Sequence, residues 1–449
     1  MLLYCDKIMH EFKYLNGKLN CENVSLETLV KQEGTPLYVY SQGTILRRYQ
    51  QLDKALSALP RLVCYAVKAN SNASVLRALA NEGSGFDVVS IGELRRVCAA
   101  GGDPRTCVFA GVGKTEEEIE FALTQNIFSF NVESEAELER INRVAAGLKK
   151  IAPVAARVNP NVSADTHAKI TTGTYANKFG IPFEEVEGFY ARARKLKNVR
   201  LRGIQMHIGS QITSVKPFEQ AVRKMIPLVM KLKELHNLDF FSLGGGLGIE
   251  YPQALESGDP AWWESAAGRA MITPEAYAQS ILPLVQPLNL RILVEPGRFI
   301  VGNAGVLITR VEYIKTVGDK NFVIVDAAMN DLIRPALYDA HHQIVPITQK
   351  GGATIPTDVV GPVCESGDAF CHDRPLPKLA EGDLLAIMSA GAYGFVMASN
   401  YNSRPLPAEM IVNGRLSAVA RFRQYVPRIW EAEKLARWLK FVRLPASLE

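Results

Sequence analysis

The chain has 449 residues, enough for two or three domains, and 47% of them are hydrophobic and 22% charged, as in ordinary globular proteins. Its net charge of +5 comes from lysines and arginines spread along the sequence, so nucleic-acid binding has little support and an anionic small molecule fits equally well. No apolar stretch approaches the roughly 20 residues of a membrane-spanning helix.

The seven cysteines are scattered and form no CxxC pair, which argues against a disulfide framework or a structural zinc site. We therefore expect no metal, and we expect a reducing, cytoplasmic environment. The first residues carry charge too early for a signal peptide, so we also expect no association with a membrane.

Apolar runs alternate with segments of helical periodicity over most of the first 297 residues. Residues 1–40 look extended, above all residues 36–40. Beyond them, eight runs have the length and continuous hydrophobicity of buried parallel strands. These predicted strands are residues 62–67, 86–89, 107–110, 127–131, 154–158, 201–208, 238–243 and 292–295.

Helix-start signals lie between the predicted strands. Thr115 followed by Glu118, and Ser134 followed by Glu137, each predict a capping box. One of the helices is less regular, because Pro227 is expected to interrupt and kink it.

Eight β-then-α units in succession predict an α/β protein with a (β/α)8 TIM-type barrel. A doubly wound sheet is the competing architecture, but the count of eight and the absence of an early GxGxxG favour the barrel. After residue 298 the sequence becomes rich in β-branched residues and turns. We therefore predict a barrel of residues 41–297 and a second, mostly β domain of residues 1–40 plus 298–449, with strands at 306–314, 322–325, 358–360 and 384–388.

Polar residues follow four of the barrel strands at their carboxyl ends, the face where barrels of this kind hold their active sites. Lys68 follows the first strand, His207 ends the sixth, a glycine cluster beginning at Gly244 follows the seventh, and Glu295 ends the eighth. Burial at such a position would lower the pKa of Lys68 and leave a neutral amine able to attack a carbonyl.

The glycine cluster after the seventh strand lets backbone N–H groups approach an anion, and barrels often bind phosphate there. A phosphate site, a lysine, a histidine and a carboxylate on one face together suggest pyridoxal phosphate. A second glycine segment, residues 111–115, resembles the end of a P-loop. It lacks the required first glycine, where Val108 stands, so we reject nucleotide binding and interpret Thr115 as a helix cap.

Six motifs resemble the barrel-type, alanine-racemase-like pyridoxal-phosphate decarboxylases, and within them the diaminopimelate decarboxylase branch. The resemblance spans residues 16–433. In chain order the motifs are Tyr65-Ala66-Val67-Lys68-Ala69-Asn70, His207-Ile208-Gly209-Ser210-Gln211, Gly244-Gly245-Gly246, Glu295-Pro296-Gly297-Arg298, Cys364-Glu365-Ser366-Gly367-Asp368 and Gly391-Ala392-Tyr393-Gly394.

The resemblance implies decarboxylation of meso-2,6-diaminopimelate to L-lysine and CO2 by a homodimer with shared active sites. Lys68 would be the Schiff-base lysine, His207 would stack on the cofactor ring, Glu295 would pair with the pyridine nitrogen, and Cys364, from the partner subunit, would donate a proton. The other implied cofactor contacts are Ser210, Gly244, Gly245, Gly246, Pro296, Gly297, Arg298 and Tyr393. The implied substrate contacts are Arg298, Arg334, Tyr338, Tyr393 and, from the partner subunit, Glu365.

Lys169, in residues 167–173, departs from the family pattern and bears on fine substrate preference. The nearest alternative is a decarboxylase of the same fold that acts on D-ornithine, D-lysine or another amino acid. A catalytically silent relative is a second alternative, but the complete set of lysine, histidine, glutamate, cysteine and tyrosine positions argues against it.

Overall fold

The computed structural model describes residues 9–162 and 178–439. The first part of the chain, up to residue 41, contains β1 (Phe12–Leu15), β2 (Lys18–Cys21), β3 (Val24–Ser25), α1 (Leu26–Glu33) and β4 (Leu37–Ser41). The alternating elements that follow are α2 (Gln42–Ala55), β5 (Arg61–Ala66), α3 (Ala73–Asn81), β6 (Gly85–Val88), α4 (Ile91–Ala99), β7 (Cys107–Phe109), α5 (Glu116–Thr124), β8 (Ser129–Val132), α6 (Glu135–Gly147), β9 (Ala152–Asn159), β10 (Ile181–Pro182), α7 (Val186–Ala193), β11 (Val199–Met206), α8 (Lys216–His236), β12 (Phe240–Ser242), α9 (Ala266–Ala270), α10 (Pro274–Val285), β13 (Arg291–Val294) and α11 (Arg298–Val301).

Eight parallel strands close into a barrel. Their order is β9, β11, β12, β13, β5, β6, β7, β8, and β8 pairs back with β9. Each of the eight predicted strands overlaps one of these, so the prediction of a (β/α)8 barrel is confirmed. Apolar side chains from five barrel strands and from the residue before β8 fill the barrel interior: Cys64, Val108, Phe128, Ala155, Phe240 and Leu293. The carboxyl ends of the strands are left for polar groups.

The strands after the barrel form a second large sheet around the N-terminal strand β4, whereas β1, β2 and β3 form a separate three-stranded sheet. The elements are β14 (Gly305–Val317), β15 (Lys320–Val325), α12 (Arg334–Tyr338), β16 (Ile344–Pro346), β17 (Thr354–Val360), β18 (Ala369–Pro377), β19 (Leu384–Ile387), β20 (Ala408–Asn413) and β21 (Leu416–Arg421). Strand β4 lies between β14 and β20, antiparallel to the first and parallel to the second. The prediction that the N-terminal segment adds strands to a mostly β domain is therefore confirmed.

The helix signals are confirmed in part. Thr115 and Glu118 form the complete capping box. Ser134 caps α6, but Glu137 does not complete a box, because its carboxylate accepts the N–H of Glu133 and pairs with Lys114.

Helix α8 continues through Pro227 as one element, against the expected interruption. Buried residues on both sides of the proline, among them Phe218, Met225 and Val229, hold the helix in place. None of the described helices has the length and apolar character needed to cross a membrane. The departure noted at residues 167–173 lies outside the described residues.

Candidate active site

A cavity of about 610 Å³ opens at the carboxyl ends of the barrel strands. Residues of the β domain, among them Arg334, Tyr338 and Tyr393, complete its wall. Of the predicted site residues, the cavity is lined by Lys68, His207, Ser210, Gly245, Gly246, Glu295, Gly297, Arg298, Arg334, Tyr338 and Tyr393.

Two predicted cofactor residues are not among the lining residues. The carbonyl oxygen of Gly244 accepts the N–H of Glu295 at 2.8 Å, and that of Pro296 accepts the N–H of Ala66 at 2.9 Å. These residues therefore tie neighbouring strands together beside the cavity.

Lys68, just after β5, forms an ion pair with a residue that the sequence analysis missed. Its Nζ donates to Asp87 Oδ2 at 2.9 Å, and the Asp87 side chain is only 1% exposed whereas that of Lys68 is 41% exposed. Burial acts to lower the pKa of Lys68, but the negative charge of Asp87, aided by Tyr393, outweighs it and raises that pKa. The prediction of a lowered pKa is wrong, because it was made without knowledge of Asp87.

Glu295 is buried at the base of the cavity within a set of hydrogen-bond donors. Ser242 donates to Oε1 at 2.7 Å, Gln205 to Oε2 at 2.9 Å and Asn131 to Oε1 at 3.5 Å. Burial and then the charge of Asp87 raise the pKa of Glu295 to about 7. This carboxyl group can therefore hold or share a proton at neutral pH.

Four buried polar atoms around the cavity lack a hydrogen-bond partner within the described residues. They are Asp87 Oδ1, Asn131 Oδ1, Gln205 Oε1 and Arg298 Nε. Buried polar atoms are nearly always paired, so this concentration indicates a site built for a polar ligand. That observation fits pyridoxal phosphate, which carries a phosphate, a ring hydroxyl and a ring nitrogen.

His207 presents a neutral ring. Its Nδ1 accepts the N–H of Gly245 at 3.1 Å, which leaves the proton on Nε2. Burial, then the charges of Arg157 and Lys68, hold the pKa of His207 well below its usual value.

The loop after β12 contains a glycine that the backbone requires. The φ of Gly246 is +108°, and a Cβ there would lie 2.6 Å from the Gly209 carbonyl oxygen. Only glycine lets this backbone line the cavity.

Two arginines in the cavity wall are buried without an acidic partner. Arg298 and Arg334 are 6% and 7% exposed. Arg298 donates to Tyr251 at 2.5 Å and to Ser210 at 3.2 Å, and Arg334 lies 2.8 Å from His342 Nε2. Across residues 9–162 and 178–439, neither guanidinium forms an ion pair with a carboxylate. Buried charges are normally paired, so the site is prepared for anionic groups of a ligand.

Cys364 and Glu365 lie apart from the cavity of their own chain. They fall between β17 and β18, and neither lines the wall. Cys364 is exposed, its N–H donates to Asn402 at 3.3 Å, and the Glu365 carboxylate accepts a hydrogen bond from Tyr401. One chain alone therefore does not bring all the predicted catalytic residues together.

Five residues of the site are absent from the sequence-based predictions: Asp87, Gln205, Arg157, Tyr251 and His342. A signal was available for two of them, because Asp87 and Arg157 interrupt otherwise apolar strands. The other three carry no comparable local signal.

Comparisons with known proteins show which family this chain resembles. Residues 42–302 match the family described as "Pyridoxal-dependent decarboxylase, pyridoxal binding domain". The chain is 47% identical to the diaminopimelate decarboxylase of Vibrio cholerae over 430 residues, which cover 95% of this chain and 99% of the relative. It is also 47% identical to that of Pseudomonas aeruginosa, with the same coverage.

Solved structures of the same class are similar throughout. Diaminopimelate decarboxylase from Helicobacter pylori, complexed with L-lysine, matches with a TM-score of 0.84 and 42% identity over 91% of this chain and 98% of the other. The M. jannaschii enzyme in co-complex with L-lysine matches with a TM-score of 0.88 and 34% identity over 95% of this chain and 98% of the other.

Proposed function

The chain belongs to the pyridoxal-dependent decarboxylases, and we propose that it removes one carboxylate from meso-2,6-diaminopimelate to give L-lysine and CO2, the final step of lysine biosynthesis. The observation that carries this substrate is the pair of buried arginines, Arg298 and Arg334, in the wall of the cavity that also contains Lys68 and Glu295. An amino acid with a single carboxylate, such as the precursor of a simple diamine, would offer the two arginines fewer anionic groups to bind.

The cofactor is pyridoxal phosphate, and the residues present fit it. When bound, it supplies an aldehyde that condenses with amines and a ring that accepts the electron pair left as a carboxylate departs. Lys68 would be its attachment point. The glycine loop at Gly245 and Gly246, with Ser210, Gly297 and Tyr393, would surround its phosphate, and Gly244 and Pro296 would support that wall from behind.

The titrating groups have matched roles in this proposal. Glu295, with its pKa raised to about 7, would share a proton with the pyridine nitrogen and keep the ring electron-poor. His207 would stack on the ring as a neutral group and add no competing charge. Asp87 would hold the proton of Lys68 whenever that amine is not engaged.

Substrate binding would use both ends of the molecule. Arg334, together with Arg298 and Tyr338, would bind the carboxylate of the end that does not react, since guanidinium groups suit bidentate carboxylate contacts. Tyr393 would contribute from the same wall, where Arg298 lies 4.9 Å from its ring centroid. These four residues would therefore select a substrate whose unreactive end is also an amino-acid group.

We further propose that the active unit is a homodimer. Cys364 would donate the proton that replaces the lost carboxylate, and Glu365 would bind the far amino group, both reaching the cavity of the other subunit. Their positions apart from their own cavity support this arrangement. We also propose a cytoplasmic location, because the six described cysteines are all free thiols, as a reducing compartment favours.

A CO2-release assay on the holoenzyme tests the reaction. We expect release from meso-diaminopimelate, with L-lysine formed in equal amount, and much slower release from D-lysine and D-ornithine. Faster release from D-lysine or D-ornithine would replace this substrate with the same-fold alternative. No release from any of the three would overturn the proposed reaction.

A further inference from the structure

The arginine pair is held by two residues that have no role in the function proposed so far. Tyr251 lies between the two guanidinium groups, in contact with both. Arg298 Nη1 donates to its hydroxyl at 2.5 Å, and the guanidinium carbon of Arg334 lies 4.9 Å from its ring centroid. The residue is 7% exposed, so this hydroxyl is a buried acceptor for a buried cation.

His342 fixes the second arginine from behind. It is fully buried, with Nε2 2.8 Å from Arg334 Nη1 and Nδ1 2.8 Å from the carbonyl oxygen of Met388. Arginine can only donate, so Nε2 must accept and Nδ1 carries the proton that it gives to Met388. Both ring nitrogens are therefore used, and the ring holds Arg334 in one direction.

The two holding residues also pack on each other. The rings of Tyr251 and His342 meet edge to face, with centroids 5.2 Å apart and planes at 81°. Burial acts to raise the pKa of Tyr251, but the two guanidinium groups outweigh it and lower that pKa. Burial and then Arg334 hold the pKa of His342 well below its usual value, so its ring stays neutral. The cluster thus supplies acceptors to two like charges without adding a carboxylate.

We infer that Tyr251 and His342 are positioning residues that hold Arg298 and Arg334 ready for the substrate carboxylate at the unreactive end. This inference rests on the proposed function. A full carboxylate in their place would neutralise the pair and compete with the substrate. A hydroxyl and an imidazole orient the guanidinium groups and leave their charge available to the ligand.

Holoenzyme variants at saturating cofactor test this inference. Tyr251→Phe and His342→Leu each remove one acceptor from a buried arginine, which is worth about tenfold or more in carboxylate affinity. We expect KM for meso-diaminopimelate and Kd for L-lysine to rise by that factor, with kcat within about twofold, because neither residue touches the reacting atoms. His342→Gln, which keeps an acceptor and a donor, should restore most of the affinity.

Cadaverine, which has the carbon chain of lysine without its carboxylate, is the matched control ligand. Its Kd should be the same in the wild-type protein and in the variants. Unchanged KM and L-lysine Kd would overturn the inference, and so would an equal loss of cadaverine and L-lysine binding, which indicates general damage. If the wild-type protein binds L-lysine but releases no CO2 from diaminopimelate, the proposed function is overturned. The comparison of L-lysine and cadaverine binding then still decides whether Tyr251 and His342 position the arginines.

Discussion

Asp87 determines the charge of Lys68, and this single contact reverses what burial alone would do. The carboxylate is 1% exposed and lies 2.9 Å from the amine, so the two charges attract each other at short range although the lysine side chain is 41% exposed. The amine thus keeps its proton until a reaction partner takes the place of that contact. Nucleophilic attack needs the neutral form, so Asp87 both holds the lysine in place and limits its reactivity.

Replacement of the Asp87 carboxylate tests whether it raises the pKa of Lys68. In Asp87→Asn the charge that raises the pKa of Lys68 is lost while the desolvation that lowers it remains, so the pKa should fall. Labelling of cofactor-free protein with acetic anhydride across a pH series, read at Lys68 by mass spectrometry, measures this directly. The labelling midpoint should move to lower pH, with exposed Lys231 as the internal reference. A midpoint that stays in place would show that Asp87 does not control this lysine.

The elements that the sequence predicts best are those that a local pattern determines. Each barrel strand is a short apolar run, and all eight were found. Strands β18 and β21 are absent from the predictions because their faces are partly exposed, and β20 is absent because Glu409 interrupts its apolar run although the strand is buried. The site follows the same rule: strand ends such as Lys68 and Glu295 are predicted, whereas only tertiary packing brings Tyr251 to the cavity and His342 behind Arg334.

Lys114 shows how an element-level contact explains a misleading motif. Within residues 111–115 it is 3% exposed and donates to Gly111, Asn131 and Glu137, the last at 2.6 Å. The bond to Gly111 closes the loop before α5, and the bonds to Asn131 and Glu137 link that loop to β8 and α6. The lysine of this segment therefore stabilises the barrel wall, and no nucleotide is needed to account for it.

Removal of one member of the buried Lys114–Glu137 pair should destabilise the folded protein. Lys114→Met leaves the Glu137 carboxylate buried without its cation, and we expect a loss of about 3–5 kcal/mol in the free energy of unfolding. The double variant Lys114→Met, Glu137→Leu should recover most of it. Arg143→Met breaks an exposed pair with Glu116 and should leave the free energy of unfolding nearly unchanged. Urea unfolding measures all three, and equal losses at the buried and exposed pairs would contradict this account.

His10 ties the N-terminal segment to the barrel through a neutral ring. Its Nε2 donates to the carbonyl oxygen of Ala254 at 2.5 Å, and its Nδ1 accepts the N–H of Phe12. Burial lowers the pKa of His10 to about 4. The unfolded chain takes up a proton near pH 6.5 and the folded chain only near pH 4, so stability is full above pH 6.5 and falls between these values.

The resulting loss reaches about 3 kcal/mol by pH 4. His10→Gln removes the titrating group, so its stability should fall less than that of the wild-type protein between pH 7 and pH 5. Urea unfolding at the two pH values measures the difference, and other titrating groups cancel in the comparison. An equal fall in both proteins would assign the acid sensitivity to other groups.

At the scale of the whole molecule, the two parts of the chain make one cavity between them. We propose the division at residues 41 and 297, with the barrel supplying most of the cofactor contacts and the β domain supplying Arg298, Arg334, Tyr338 and Tyr393. Strand β4 explains why both ends of the chain are needed, since it pairs with β14 and β20. The same β domain presents Cys364 on the outside, where its own cavity cannot use it.

Subunit mixing tests whether a second copy completes the site. Lys68→Ala and Cys364→Ala should each be nearly inactive alone, but a mixed dimer contains one cavity with both native residues. Random exchange makes half of the dimers mixed, so activity should recover to roughly a quarter of the wild-type value. Lys68→Ala mixed with Glu295→Ala should not recover, because both residues belong to the same cavity and every mixed site carries one defect. Subunit exchange is followed by mass, and exchanged Lys68→Ala and Cys364→Ala dimers without activity would show that the site is not shared.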